Sequence, residues 1–260
     1  HLLKGWGYSR PSTGTGASGL FVYHNHFCCF AAMMCFYILG SAFLTDGRNW
    51  KTGLAVVICV LAVLCVALSR SRGGIIAFLV GAIVFGIAMA VLHRSWVRAH
   101  GRATVLLLSL GAILAISVSG VVYGQLSQRD SNLSSAGSVR LNLVRSAVDQ
   151  FVENPWIGNG SGSYSYNVFA HWPPSLNLLQ YDPQFAHNEY AQLLAEYGLI
   201  GCVLMLALII ILLKNFFTGE RSTRSMRFEC GCLAAAAVAL SHSLVDFVMH
   251  APINIFVLGF

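Results

Sequence analysis

The sequence predicts an all-α integral membrane protein: a polytopic helix bundle with a long, partly helical loop outside the membrane. Three observations carry that prediction. Hydrophobic residues make up 56% of the 260 and charged residues only 10%, with a mean hydropathy of +0.67, which is far from the balance of a soluble domain of this length. The apolar residues fall in runs near the length that crosses a roughly 30 Å hydrocarbon core. One long polar stretch, 124–188, separates two of these runs. The formal charge of +6 is scattered through short loops. That argues against a nucleic-acid partner and for a cytoplasmic-side charge bias, with membrane lipids as the surrounding partner.

Taken in order, the spans are read at about 27–44, 53–68, 74–92, 103–123, 199–213 and 228–249. The loop 93–102 holds three arginines and no acid, and 214–227 holds four basic residues against one glutamate, so both are expected in the cytoplasm. Parity then puts Asp46, Arg48 and Lys51 inside as well. It places 1–26, 69–73 and the long loop 124–188 outside. Arg70 and Arg72 therefore lie in a short outer loop, against the usual bias. An arginine beside hydrocarbon is expensive and tends to be kept for a task, while a snorkelling side chain is the plainer alternative.

All eight cysteines lie in or beside apolar runs, where they behave as small apolar residues; neither disulfides nor a metal site is expected. Cys230-Gly231-Cys232 has no second cysteine or histidine pair at a suitable spacing.

The outer loop is too long for a connector and too aromatic for a disordered segment, with Trp156, Trp172, Tyr164, Tyr166, Phe169 and Tyr181. Leu141, Val144, Val148, Phe151 and Val152 recur at helical spacing, predicting an amphipathic helix from Ser138, as N-cap, to Pro155, near the membrane surface. Arg140 then falls in its first turn, where a helix N-terminus and a guanidinium together favour an anion. Arg145 lies five residues on and points elsewhere. The run 158–162, Gly-Asn-Gly-Ser-Gly, has neither a preceding strand nor a suitably spaced acid, so it is read as a hinge rather than a nucleotide loop. Contact of its amides, Gly160 among them, with substrate is left open. Tyr164 has two readings, stacking on a sugar or belting the interface; Trp172 is assigned to the belt. Tyr190, Leu193, Leu194 and Tyr197 share one face of the stretch after His187.

Two strings, FAHNEYAQLLAEYGLIG over 185–201 and ENPWIGNGSGSY over 153–164, together with Ser71-Arg72-Gly73, resemble the O-antigen ligase/polymerase superfamily. The resemblance covers about 54–213, the core of a single membrane domain spanning 1–260, which reads as a fragment because the family usually carries more spans. It implies a glycosyltransferase that moves an oligosaccharide from a polyprenyl diphosphate to an acceptor hydroxyl, on the outer face of the bacterial cytoplasmic membrane. It implies catalytic roles for Arg72, Arg140 and His187, and substrate contacts for Asn188, Tyr164 and Gly160. Arginines would stabilise the leaving diphosphate, and His187 would act as general base or as phosphate donor. Asn188 and Glu189 are expected to support His187. Asp130, Asp149 and Asp182 are isolated, so no metal and no cofactor are expected.

The acceptor stays open between lipid A core, another glycan repeat (a polymerase) and a protein hydroxyl (an O-oligosaccharyltransferase). A transporter is the rival of another class, but mid-span ionisable residues are almost confined to His242 and Asp246. These two, four apart, are read as a structural polar pair, with a proton relay as the sharper alternative. The string 19–27 departs from the family pattern at Tyr23 while keeping Asn25.

Overall fold

Small residues decide how the apolar helices meet. The computed structural model describes residues 17–42, 50–92, 133–171, 183–218 and 223–258; the span expected at 103–123 lies outside them. Among the described residues the chain is helical and has no strand. The first three helices are α1 (His24–Ala42), α2 (Trp50–Leu68) and α3 (Arg72–Leu92). After them come α4 (Leu133–Glu153), α5 (Tyr164–Asn167) with a 3-10 turn Val168–His171, and α6 (Glu189–Thr218). The order closes with α7 (Thr223–His242), a 3-10 turn Val248–His250 and α8 (Pro252–Leu258).

Helices α1, α3 and α7 form the bundle's core, with α2 against α1. A Cβ on Gly81 of α3 would stand 2.5 Å from Val238 of α7, and one on Gly231 would stand 2.5 Å from the Phe36 carbonyl of α1. Backbones approach closely at such points, which is how apolar helices associate where lipid is as apolar as leucine. Phe36, Phe85 and Met89 fill the remaining space beside Ala234, Ala235 and Ala239.

Two helices are long and apolar enough to cross a membrane, Arg72–Leu92 and Glu189–Ile211. They are only 28% and 17% buried over their most apolar windows, unlike the core helix of a soluble protein. Along α6, Val203, Leu204, Leu206, Leu208, Ile210 and Ile211 are all more than half exposed. A helix apolar on every side needs an apolar medium.

Four segments meet at one end of the bundle. The Ala17 amide donates to the Leu68 carbonyl, Ser71 Oγ lies 3.4 Å from His242 Nε2, and the Glu189 amide donates to the Ser243 carbonyl. The start of α1, the α2–α3 turn, the end of α7 and the start of α6 are thereby joined.

The last span is shorter than the sequence suggests. Helix α7 stops at His242, not at 249, and residues 188–189 bond the carbonyls that follow its end: Asn188 Nδ2 donates to the Leu244 carbonyl at 2.9 Å beside the Glu189–Ser243 bond. Helix α4 begins at Leu133, which leaves Ser138 inside it rather than at its cap and puts Arg140 beyond the first turn. Its stripe of Leu141, Val148 and Val152 is exposed, and the opposite face, with Val139, Leu143 and Ala147, is the buried one. The spacing was helical, but the small residue Ala147 permits close packing against α6 where the bulkier stripe does not. The same holds on α6, which buries Ala191, Gln192, Ala195 and Glu196 rather than the face of Tyr190 and Tyr197.

Helix α6 is two helices joined at Gly198, whose φ of 61° and ψ of −169° break the ladder. The turn after α4 mends both ends. Amides of Leu199 and Ile200, orphaned at the start of the second half, donate to the carbonyls of Pro155 and Trp156 at 2.8 and 3.0 Å. Carbonyls of Ala195 and Glu196, orphaned at the end of the first, accept from the amides of Asn159 and Gly160, both at 2.9 Å. Each helix end thus has partners for the groups an ideal helix leaves unpaired.

Candidate functional site

A buried carboxylate organises the end where the four segments meet. Asp246 is 2% exposed and sits in the turn after α7. Its Oδ1 accepts from His187 Nδ1 at 3.0 Å and from the Phe247 amide at 2.9 Å. Its Oδ2 accepts from Asn25 Nδ2 on α1, and Arg140 Nη2 on α4 stands 3.8 Å away. Burial alone would push the Asp246 carboxyl up, but the His187 hydrogen bond, the charges of His187 and Arg140 and the Phe247 amide bring it down to about 2. An ionised carboxylate only accepts, so His187 Nδ1 carries the hydrogen and Nε2 is left for other partners.

His187 occupies φ 53°, a left-handed conformation uncommon outside glycine. The Asp246 bond and the edge of Phe247, ring centroids 4.7 Å apart, hold it there. Residues kept in such conformations cluster at functional sites.

Arg140 and His187 are therefore brought together, through a residue that the sequence reading had paired with His242. His242 instead faces Ser71, and Asp246 pairs with His187. Arg140 reaches the carboxylate from mid-helix, so the argument from a helix N-terminus fails for it and applies to Arg72. Arg72 is exposed as the first residue of α3, where Ser71 Oγ accepts the Gly74 amide at 3.1 Å. A cation at the positive end of a helix is unfavourable until an anion joins it. A Cβ on Gly73, the next residue, would lie 2.5 Å from Val245, so the arginine enters α3 beside the turn that carries Asp246.

The residues expected to contact substrate also make contacts within the protein. Tyr164 is fully buried and its hydroxyl donates to the Leu143 carbonyl at 2.9 Å, which fixes α5 on α4. The Gly160 amide is held by Glu196, as above. Asn188 caps α6, accepting the Ala191 amide at 3.0 Å while donating to Leu244. Glu189 does not support His187: its carboxylate pairs with His250 Nδ1 at 3.1 Å and accepts the Met249 amide at 2.8 Å. Asp246 and Asn25 were noted in the sequence but not placed beside His187 and Arg140. The signal was available for Asp246, since several cations gathered beside a membrane call for a buried counter-charge.

The helices and this site define an all-helical protein with membrane-length apolar segments and a polar, arginine- and histidine-bearing cluster at one end. The chain belongs to the O-antigen ligase family: the model of that family, described as O-antigen ligase, matches residues 57–206, more than half of its length. No curated protein matches the chain, and no solved structure does. Family membership and the apolar helices together point to an integral membrane protein.

Proposed function

We propose that this protein is a polytopic glycosyltransferase of the bacterial cytoplasmic membrane that transfers an oligosaccharide from a polyprenyl diphosphate to an acceptor hydroxyl outside the membrane. The observation that carries this reading is the convergence of His187 and Arg140 on the buried Asp246, beside the Arg72 end of α3. Asp246 fixes the hydrogen on His187 Nδ1, which frees Nε2 to take the proton of the acceptor hydroxyl. The acceptor oxygen then bonds to the anomeric carbon as the bond to the diphosphate oxygen breaks. The electron pair leaves with the diphosphate, whose growing charge Arg72 and Arg140 meet electrostatically. Arginine suits this task because its planar fork matches phosphate geometry.

The test is transfer by purified protein in liposomes supplied with undecaprenyl-diphosphate-linked oligosaccharide and candidate acceptors. Product should form with EDTA present, since arginines rather than a metal ion meet the charge. Loss of product in EDTA with recovery in magnesium or manganese refutes the metal-free mechanism. Absence of product with lipid A core, glycan and protein acceptors alike refutes the reaction.

A further inference from the structure

A cavity lies beside Phe185, the ring that stacks on Phe247. It measures about 590 Å³ and opens between the turn 161–165, α5 with its 3-10 extension, and the first half of α6. Phe185 and Phe247 stack with centroids 4.4 Å apart and planes 13° apart, His187 meets Phe247 on edge, and His250 lies 4.6 Å from Phe185. A partition of stacked rings thus stands between the cavity and the Asp246 cluster.

Its chemistry is opposite to that of the arginine cluster. No lysine or arginine lines it. Two carboxylates do, Glu189 and Glu196, each about 5% exposed. Both are fixed by the protein rather than left to swing. Glu196 Oε2 accepts the Gly162 amide and its Oε1 accepts Gln192 Nε2, both at 3.0 Å, while Glu189 is held by the Met249 amide and His250. Each oxygen of Glu196 keeps a further lone pair for a hydroxyl. Facing them are Tyr166 and Phe169, 81% and 53% exposed. A diphosphate would be repelled here. A pyranose fits on three counts: its C–H face packs on aromatic rings, its hydroxyls donate to fixed carboxylates, and its size suits the volume.

We propose that this cavity is the acceptor subsite, taking a neutral or amino-sugar pyranose of the acceptor glycan and presenting its hydroxyl around the aromatic partition to His187. The inference rests on the reading of the protein as a glycosyltransferase. It assigns the acceptor rather than the donor because the cavity is built on α6 with carboxylates and no lysine or arginine, whereas Arg72 lies on α3.

Two measurements test it. In the liposome assay with a glycan acceptor, Tyr166→Ala and Phe169→Ala should each raise KM for the acceptor about three- to tenfold, with kcat and the donor KM little changed. Equal effects on both substrates, or no effect, overturn the assignment. Independently of transfer, saturation-transfer NMR on the purified protein should detect N,N′-diacetylchitobiose and cellobiose. The signal should vanish in the Tyr166→Ala/Phe169→Ala double variant and persist in Arg140→Ala. Absence of signal in the wild type, a signal unchanged in the double variant, or equal binding of a sulfated disaccharide overturns the subsite. If the disaccharides bind as described while the wild type transfers nothing, the reaction has failed and the sugar site stands.

Discussion

Gly158 and Gly198 meet backbone to backbone. A Cβ on Gly198 would stand 2.5 Å from the Gly158 nitrogen, and one on Gly158 would stand 2.5 Å from the Glu196 carbonyl carbon. Both also have positive φ, 68° and 61°. Alanine at either position meets strain of about 1–2 kcal/mol from the backbone alone, plus displacement of main-chain atoms that cannot swing aside. Gly158→Ala and Gly198→Ala should each lower the melting temperature in detergent. The double variant should lose less than the sum, since either change already parts the two segments. Gly160→Ala is the control for crowding: open space surrounds its Cβ position, so only its φ of 98° opposes the change.

Asp246→Asn should keep the fold and lose turnover. The amide matches the carboxylate in size but presents a donor where His187 Nδ1–H needs an acceptor, so the ring is released or takes the other tautomer. The expected loss, like that in His187→Ala, is about a hundredfold to ten-thousandfold in kcat. His187→Gln should be inactive if the ring is the base. Wild-type turnover in Asp246→Asn, with correct membrane insertion, would remove the dyad from the mechanism.

Arg72→Lys and Arg140→Lys should both be poorly tolerated, because a point charge does not reproduce a bidentate fork. Loss of such a contact costs about 1.5–3 kcal/mol, or more than tenfold in kcat/KM. Arg145→Ala should be mild: Arg145 is exposed, away from the buried face of α4. Donor titrations on each variant provide the measurement, and a weaker phenotype for Arg72→Ala than for Arg145→Ala sinks the proposed pocket.

Stability should fall on the alkaline side through His250. Burial lowers its pKa, but the hydrogen bond it donates to Glu189 and the charges of Glu189 and Glu196 raise it above 6.5 overall. A raised native pKa means that the folded protein holds the proton more tightly than the unfolded chain. The contribution is therefore complete below pH 6.5 and drains away as pH climbs through the native value. Melting temperatures between pH 5.5 and 8.5 should decline in the wild type and run flatter in His250→Gln. Parallel curves would show that the Glu189 pair carries no such linkage.

In the topology expected from loop charges, Asp149 and Thr218 lie on opposite sides of the membrane. The twenty residues of α6 from Leu199 to Thr218 span about 30 Å at helical rise. Single cysteines replacing Asp149 and Thr218 in a cysteine-free background should respond differently to an impermeant maleimide. Only the first should label in intact cells with a permeabilised outer membrane. The reverse pattern inverts the protein.

The sequence made the helices legible and left the centre of the candidate site obscure. Hydropathy located α2 and α3 to within three residues, because a run of apolar residues has few other ways to satisfy its backbone in lipid. The family strings led to His187, Arg140 and Arg72. Asp246 was hidden by its own neighbourhood: four residues after His242, it fitted an intrahelical pair as long as the helix was thought to continue. Only the bonds from Asn188 and Glu189 to the carbonyls of 243 and 244 reveal that the helix has ended and that the carboxylate turns outward. The buried faces of α4 and α6 were misread for a related reason. Alanine, glutamine and glutamate do not look like a core in one dimension, yet they suit a contact set by close backbones and fixed hydrogen bonds.

The Asp246 carboxylate joins Asn25 across 221 positions of sequence and His187 across 59. Translation delivers those partners in order, with the acid last. Under the proposed mechanism, a nascent chain presents Arg72, Arg140 and His187 before the group that orients the imidazole has been made. Until then the imidazole has no fixed tautomer. Chains that terminate before residue 246 are predicted to be inert in the liposome transfer assay.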